Sequence, residues 1–291
     1  MRISTDNGPI RNMFGDVKST QMIGEAGFDG IDYTFYDIDP NNDILALPDA
    51  DRKALAEDVL ACAKQYGVSF PQAHAPYAYA YGEPHDGRHY QEVVRSLEFA
   101  ARIGCKQIVI HTVKFPGQRN FDVNGYNRDF LRSFLPYARE FDIDIGVENL
   151  FINDRKRKCF FGQHGTPEEI NAFIDSLEDE RFKCCCDLGH CALTGCEPQD
   201  FIAAMKPERL TMLHVHDTDY LSDSHTIPYL GKHDWDAITD ALAAIGYTGY
   251  MNLEALHFYE EFPPELVPAA LRMAAAAARK LADDVERKLA R

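Results

Sequence analysis

Short apolar runs alternate with amphipathic stretches along the whole chain, and this alternation predicts its secondary structure. The apolar runs have the length of buried parallel strands, and we predict eight of them, near residues 1–5, 28–34, 69–75, 106–112, 143–149, 181–187, 209–216 and 249–255. The amphipathic stretches predict eight helices, near residues 16–26, 50–66, 89–103, 127–141, 167–177, 197–206, 234–245 and 264–290. Glycines follow several of these helices, where a left-handed residue ends a helix at little cost.

Eight strand–helix units in 291 residues are typical of an α/β fold in which the strands close into a (β/α)8 TIM barrel. The main alternative is a doubly wound sheet, but the Gly-x-Gly-x-x-Gly turn expected after its first strand is missing from the sequence. No stretch rich in Pro, Gly or Ser divides the chain. We therefore predict a single TIM-barrel domain over residues 1–291.

The composition limits the class of protein. Hydrophobic residues make up 45% of the chain, yet no apolar run approaches the roughly 20 residues that span a bilayer, so we expect no membrane partner. The N-terminus has no signal-peptide pattern, and three of the eight cysteines are consecutive within a predicted strand. This arrangement indicates buried, reduced thiols and hence a cytoplasmic protein. The sequence leaves open whether the chain forms a homo-oligomer.

The net charge of −16 bears on the partners of the protein. A protein that binds a phosphate backbone needs clustered Lys and Arg. The one dense basic cluster, Arg155–Lys158, is best explained as a solvated loop. The charge therefore favours a small-molecule substrate over nucleic acid.

Acidic and imidazole side chains stand at the ends of six successive predicted strands, from the third to the eighth: His74, His111, Glu148, Asp187 with His190 beyond it, His214 with His216, and Glu254. The strands of a barrel end at one rim, so we expect these side chains to lie together. Longer loops, near 77–87, 114–124, 151–165 and 218–232, follow strands on the same side. Several buried carboxylates repel one another, and a divalent cation removes that penalty.

We predict that Glu148, Asp187, His214 and Glu254 bind one divalent metal ion. Three carboxylates and one imidazole form an oxygen-rich set, which favours Mn²⁺ while leaving Mg²⁺, Co²⁺ and Zn²⁺ open. His216 would lie on the same strand face as His214, and we favour His214 as the ligand because it lies deeper in the strand.

The whole chain resembles the xylose isomerase-like TIM-barrel superfamily, in particular its sugar phosphate isomerase/epimerase branch. The resemblance rests on five segments: Val147–Asn149, Asp187–His190, His214–Asp217, Leu230–Trp235 and Gly249–Glu254. It implies that the quartet binds one Mn²⁺-type ion, and that Glu148 and Glu254 face each other across the substrate as catalytic acid–base groups.

The residue types suit such chemistry. A metal-bound carbonyl acidifies the neighbouring C–H, and one glutamate removes that proton through an enediolate. Return of the proton gives an isomer or an epimer without any organic cofactor. Five histidines at the rim are assigned to substrate binding: His74, His111, His190, His216 and His225. Loop residues are expected to select the substrate, an unphosphorylated sugar or polyol, among them Phe14, Tyr33, Phe35, Tyr77, Tyr79, Lys114 and Arg119.

Other functions stay open. The same superfamily contains inosose dehydratase, a lyase, and endonuclease IV, which cuts abasic DNA with three zinc ions. This chain matches the ligand pattern of that nuclease at His74, His111, Glu148, Asp187, His190, His214, Asp223, His225 and Glu254. The acidic charge argues against DNA, and Glu83 and Asp86 follow the aromatic segment 77–81 that could stack on bases. A non-catalytic sugar-binding barrel would not need the acid–base pair.

Overall fold

A ring of parallel strands organises the computed structural model, which describes residues 1–36, 43–77, 86–115 and 121–291. The strands are β1 Ile3–Asp6, β2 Gly30–Thr34, β3 Ser69–His74, β4 Gln107–Val109, β5 Asp144–Glu148, β6 Leu150–Asp154, β7 Cys159–Gln163, β8 Phe182–Asp187, β9 Leu210–His214 and β10 Met251–Leu253. The helices are α1 Gly8–Phe14, α2 Asp16–Glu25, α3 Asp49–Tyr66, α4 Arg88–Arg102, α5 Val123–Arg132, α6 Leu135–Glu140, α7 Pro167–Ser176, α8 Leu188–Thr194, α9 Pro198–Ala204, α10 Trp235–Ala244, α11 Leu256–Glu260 and α12 Val267–Leu289.

Eight of the strands pair in parallel in the order β10-β1-β2-β3-β4-β5-β8-β9. The two ends of this sheet meet just beyond β9, where the amide of Val215 donates to the carbonyl of Asn252 at 2.9 Å. The amide of Glu254 donates back to the carbonyl of Val215 at 3.0 Å. The predicted (β/α)8 TIM barrel is confirmed.

Alternation along the strands separates the barrel interior from the helical layer. In β5, Ile145 and Val147 are fully buried in the main hydrophobic core. Between them, Gly146 faces inward, because a Cβ there would lie 2.7 Å from the Met212 side chain. Met212 packs with Cys185 in a small cluster of its own, inside the ring and beneath the rim.

The consecutive cysteines of β8 also alternate between the two faces of their strand. Cys184 and Cys186 belong to the core under the helices, whereas Cys185 belongs to the interior cluster. All eight cysteines lie within the described residues, and each is a free thiol. None of the described helices combines the length and the apolar character needed to cross a membrane.

The structure adds elements that the hydrophobic pattern did not predict. Strands β6 and β7 form an antiparallel hairpin in the region expected to be the loop 151–165. The helix predicted near 127–141 is wrong as a single element: it is two helices, α5 and α6, because Pro136 occupies the first turn of α6 and lacks the amide that a continuous helix requires. Short helices α1, α8 and α11 follow strand ends directly.

Asp217 organises the long loop after β9. Its buried carboxylate accepts four hydrogen bonds of 2.9–3.1 Å, from the amides of Thr218, Tyr229 and His233 and from the indole nitrogen of Trp235. Gly231 lies so close that a Cβ there would be 2.3 Å from Asp217 Oδ1. This network explains Gly231 and Trp235 of the sequence pattern, and it fixes the loop over the barrel mouth. Asp234, the remaining position, caps α10.

We expect Asp217→Ala to lower the free energy of unfolding by about 3 kcal/mol or more, because several buried donors lose their acceptor. Urea unfolding of the variant beside Glu208→Ala measures this. Glu208 is exposed, so its substitution should change the free energy by less than about 0.5 kcal/mol. Equal values for both variants would contradict the role given to Asp217.

Candidate active site

A cavity of about 250 Å³ opens at the carboxyl ends of the barrel strands. Its lining includes six of the residues predicted from the sequence, namely His74, His111, Glu148, His190, His225 and Glu254. Asp187 and His214 are fully buried and lie deeper, behind this lining. The predicted side chains therefore converge on one place, as the barrel geometry requires.

The quartet converges on one nitrogen of His214. Its Nδ1 atom lies 3.2 Å from Glu254 Oε2, 3.4 Å from Glu148 Oε1 and 3.9 Å from Asp187 Oδ2. Although these oxygens are close, Nδ1 has no hydrogen-bond partner among the described residues. One ligand atom of each residue lies within 4.8 Å of all the others. The four atoms are close together but are not aligned for hydrogen bonding. This is the arrangement expected of atoms that share one cation.

The electrostatics of the quartet favour an ionised Glu148 carboxylate. Burial alone would raise the pKa of Glu148, but the imidazoles of His214 and His111 outweigh it and hold that pKa well below the usual range. Burial would likewise lower the pKa of His214, but the Cys185 thiol and the carboxylates of Glu254 and Glu148 raise it well above its ordinary value. The negative charge at this site therefore attracts a positive charge, either a proton or a metal ion.

Asp187 is both a helix cap and a member of the quartet. Its Oδ1 atom accepts a hydrogen bond of 2.7 Å from the amide of His190, which caps α8. The same oxygen lies 3.0 Å from His216 Nε2. This approach requires Gly189, because a Cβ there would lie 2.0 Å from the His216 ring. The other carboxylate oxygen, Oδ2, faces His214 Nδ1 at 3.9 Å.

Two buried residues that the sequence did not single out support the quartet. Asp32 Oδ2 lies 3.6 Å from His214 Nε2, on the side away from the other three residues of the quartet, and accepts hydrogen bonds from Gln72 and Asn252. Such a carboxylate orients a ligand histidine. Tyr36 donates a hydrogen bond of 2.8 Å to Glu254 Oε1. Asp32 could have been found as a charged residue inside an apolar strand, whereas Tyr36 follows its strand without any such signal.

Histidines flank the quartet on two sides of the cavity. On one side, His74 Nε2 and His111 Nε2 lie 3.0 Å apart, and His111 Nε2 lies 2.8 Å from Glu148 Oε2. On the other side, Asp223 lies between His190 and His225, at 3.7 and 3.2 Å. His216 does not line the cavity; it stacks on His225 with the ring centroids 4.0 Å apart.

A sequence profile described as "Xylose isomerase-like TIM barrel" matches residues 21–278. The chain belongs to this family. Three relatives with similar sequences are themselves uncharacterized proteins. One from Mycobacterium tuberculosis is 26% identical over 243 residues, which are 78% of this chain and 79% of that protein.

The match to the other two relatives is shorter. A protein of Sinorhizobium fredii is 39% identical over 71 residues, 24% of this chain and 22% of its own length. A protein of Methanocaldococcus jannaschii is 24% identical over 165 residues, 55% of this chain and 54% of its own length. The chain thus spans about a fifth and about half of these two proteins.

Several solved structures share the fold over almost the whole chain. A D-tagatose 3-epimerase-like protein has a TM-score of 0.74 at 19% identity, covering 99% of this chain and 100% of that one. A D-psicose 3-epimerase in the presence of D-fructose has a TM-score of 0.72 at 16% identity, covering 97% and 99%. The IolI protein with a bound zinc atom has a TM-score of 0.71 at 17% identity, covering 99% of both. Sugar epimerases and isomerases are therefore the structural neighbours of this member of the family.

The prediction that Tyr33 and Phe35 select the substrate is wrong. Both are buried in the core, where Tyr33 contacts Phe35 and Phe99 at centroid distances of 5.1 and 5.3 Å. They alternate with Asp32, which faces into the barrel, so they point outward to the helical layer. Phe14 lies apart from the cavity, in a groove with Met22.

Two of the other loop residues do reach the cavity. Tyr77 and Lys114 both line it. The ammonium of Lys114 lies 4.9 Å from the centre of the Phe151 ring. Phe151 belongs to the β6–β7 hairpin, which the sequence did not predict. Burial lowers the pKa of Lys114, against the opposing effect of nearby carboxylates. Tyr79 and Arg119 lie outside the described residues.

We expect added Mn²⁺ to raise the melting temperature of chelator-treated protein, since an ion at about 100 times its dissociation constant stabilises the folded state by about 2.7 kcal/mol. Asp187→Asn and Glu148→Gln should remove most of this shift, because each replaces an anionic ligand by a neutral amide. Asp58→Asn, at an exposed aspartate on α3, is the control and should respond like the wild type. An unchanged shift in both quartet variants would exclude the quartet as the metal site.

Proposed function

We propose that the protein is a divalent-metal-dependent isomerase or epimerase of a sugar or polyol. The observation that carries this proposal is the convergence of Glu148 and Glu254 on His214 at 3.4 and 3.2 Å, at a cavity that both carboxylates line. Two carboxylates on one cavity suit a reaction in which one removes a proton and the other returns it.

The donor set suits a metal ion. Glu148, Asp187, His214 and Glu254 would hold it, and three carboxylates with one imidazole favour Mn²⁺ among the divalent ions. When bound, such an ion polarises a substrate carbonyl and makes the adjacent C–H more acidic. No organic cofactor is needed for this chemistry.

The surrounding residues give each carboxylate a distinct environment. The hydroxyl of Tyr36 holds Glu254 Oε1 at 2.8 Å, so this carboxylate is fixed at the cavity wall. Glu148 Oε1 lies 3.2 Å from His190 Nδ1. His190, His74, His111 and His225 can exchange hydrogen bonds with substrate hydroxyl groups. Proton transfer at Glu254 and Glu148 and substrate orientation by the histidines together constitute the proposed mechanism.

The structural neighbours support a carbohydrate substrate. Ketose 3-epimerases share the fold over nearly their whole length, and a zinc atom is bound in IolI. The cavity of about 250 Å³ has room for a small polyol. A lyase of the inosose dehydratase type would start with the same proton abstraction and differ in the loss of water afterwards.

We expect the wild-type protein to incorporate solvent deuterium into at least one member of a panel of ketoses and inososes, detected by mass spectrometry or NMR. Glu254→Gln should lower the exchange rate by about 10²- to 10⁴-fold, because the amide cannot accept the proton. Glu260→Gln, an exposed glutamate on α11, is the matched control and should keep the wild-type rate. Undiminished exchange in Glu254→Gln would remove its acid–base role.

A second function, hydrolysis of a phosphodiester in abasic DNA, is favoured by the histidine–carboxylate groups on both sides of the quartet. The charge of −16 opposes it, and Lys114 is the single Lys or Arg among the described residues that line the cavity. We expect no cleavage of an abasic-site duplex with Zn²⁺ at salt concentrations from about 50 to 200 mM. Efficient cleavage at any of them would replace the isomerase proposal.

A further inference from the structure

We infer that a second cavity, outside the candidate active site, binds a small neutral molecule that carries hydroxyl groups, such as a sugar ring or a polyol. This cavity has a volume of about 530 Å³ and lies between α5, the β6–β7 hairpin and α7. We call it the lateral groove, and its lining includes Ile152, Gln163, His164, Ala172 and Phe173. The reaction proposed above does not require this groove, and the inference does not depend on that reaction.

The lateral groove is separate from the candidate active site. Among the described residues, the two cavities have no lining residue in common. Strand β6 lies between them, and neighbouring side chains of a strand point to opposite faces. Phe151 accordingly lines the active-site cavity, whereas Ile152 lines the groove. A ligand in the groove would therefore occupy a site of its own.

Gln163 supplies a free hydrogen-bond acceptor in the lining of the groove. Its side-chain Nε2 atom donates to Thr112 Oγ1 at 2.6 Å and to the carbonyl of Val113 at 3.1 Å. These bonds use both amide hydrogens, and the reversed amide would place two oxygens against each other at Val113. Oε1 is therefore fixed as the acceptor. It is buried without a hydrogen-bond partner among the described residues.

His164 supplies a second unpartnered group next to Gln163. Its ring is 5% exposed and stacks on Phe173, with the ring centroids 4.1 Å apart. Burial lowers the pKa of His164 to about 4, so the ring is neutral at pH 7. The Nε2 atom is buried and has no hydrogen-bond partner in the part of the chain that the structure describes. In a neutral ring this nitrogen either donates or accepts, and a hydroxyl group can serve in both cases.

The two unpartnered atoms point to a ligand. A buried polar atom without a partner destabilises the fold, because it has lost its hydrogen bonds to water without replacement. Gln163 and His164 are adjacent in the sequence, each is more than nine-tenths buried, and both line one groove. A single molecule in the groove could therefore donate to Gln163 Oε1 and exchange a hydrogen bond with His164 Nε2.

The chemistry of the lining selects the class of ligand. Gln163 and the neutral His164 offer no charge that would balance an ion, and Asp122, Arg128 and Glu169 bring charges of both signs to the groove. Much of the remaining lining is apolar or aromatic, namely Phe115, Ile152, Ala172 and Phe173. A sugar ring or polyol combines hydroxyl groups with an apolar C–H surface, so it suits both parts of this lining.

A probe that cannot take part in the proposed reaction tests the inference. Methyl β-D-glucopyranoside is a neutral sugar without a free carbonyl group, and myo-inositol and glycerol serve as further probes. The whole chain is labelled with ¹³C at the methyl groups of isoleucine and titrated with each probe in an NMR experiment. At least one probe should shift the Ile152 signal until the shift saturates. The Ile152→Leu variant identifies this signal by its disappearance.

Two kinds of variant assign the binding to the groove. His164→Phe keeps a ring on Phe173 without its nitrogens, and Gln163→Met removes Oε1. Each should weaken binding about tenfold, because one hydrogen bond to the probe is lost. Ala172→Tyr, at an exposed position on α7, should abolish binding by filling the groove. Glu168→Tyr, exposed on the same helix but outside the lining, is the matched control and should bind like the wild type.

The inference is overturned if none of the three probes shifts the Ile152 signal, since water alone would then satisfy the two buried atoms. Wild-type binding by Ala172→Tyr would also overturn it, as would undiminished binding in both His164→Phe and Gln163→Met. Circular dichroism shows whether the variants fold. If the latter two do not, Ala172→Tyr still decides the question, because it leaves the buried groups in place. Glu254→Gln should bind the probes like the wild type, so this inference and the proposed reaction can fail independently.

Discussion

The burial of three carboxylates at one end of the barrel is the constraint on which the rest of the site depends. Glu148, Asp187 and Glu254 are at most 4% exposed, and such groups would repel one another in a medium of low polarity. The chain meets this constraint with imidazoles, which lie between and around the carboxylates. So many buried, closely spaced charges would destabilise the fold if they served a structural purpose alone, and this is the physical reason for proposing that the site binds a metal ion.

Rigid strand ends place the quartet, but one loop completes its surroundings. Strands β5, β8 and β9 fix Glu148, Asp187 and His214 through their register, in which Asp187 pairs with His214. Asp223 and His225, by contrast, lie in the loop that Asp217 ties down through four hydrogen bonds. The positions of the quartet residues are therefore set by the barrel, whereas those of Asp223 and His225 depend on a polar network after β9.

The sequence was sufficient to predict the barrel and the convergence of the strand-end residues, because parallel strands in one ring must end at one rim. It did not predict the β6–β7 hairpin, whose pairing depends on contacts such as that between Phe151 and Phe160. The error at Tyr33 was avoidable in principle. Strand alternation puts Asp32 inside the barrel and its neighbours outside, but the strand has to be placed in register before the inner face is known.

The two oxygens of Glu148 have different partners, and this difference bears on the proposed mechanism. Oε1 faces His214 in the quartet, at 3.4 Å, and Oε2 lies 2.8 Å from His111 Nε2. If Oε1 were the ligand of an ion in the quartet, Oε2 would be the oxygen that could exchange a proton with the substrate, and His111 would hold it in place. Glu254 is divided in the same way, since its Oε2 faces His214 at 3.2 Å and its Oε1 accepts the hydrogen bond of Tyr36. Each carboxylate would therefore combine one oxygen that faces the metal site with one that a neighbouring side chain positions.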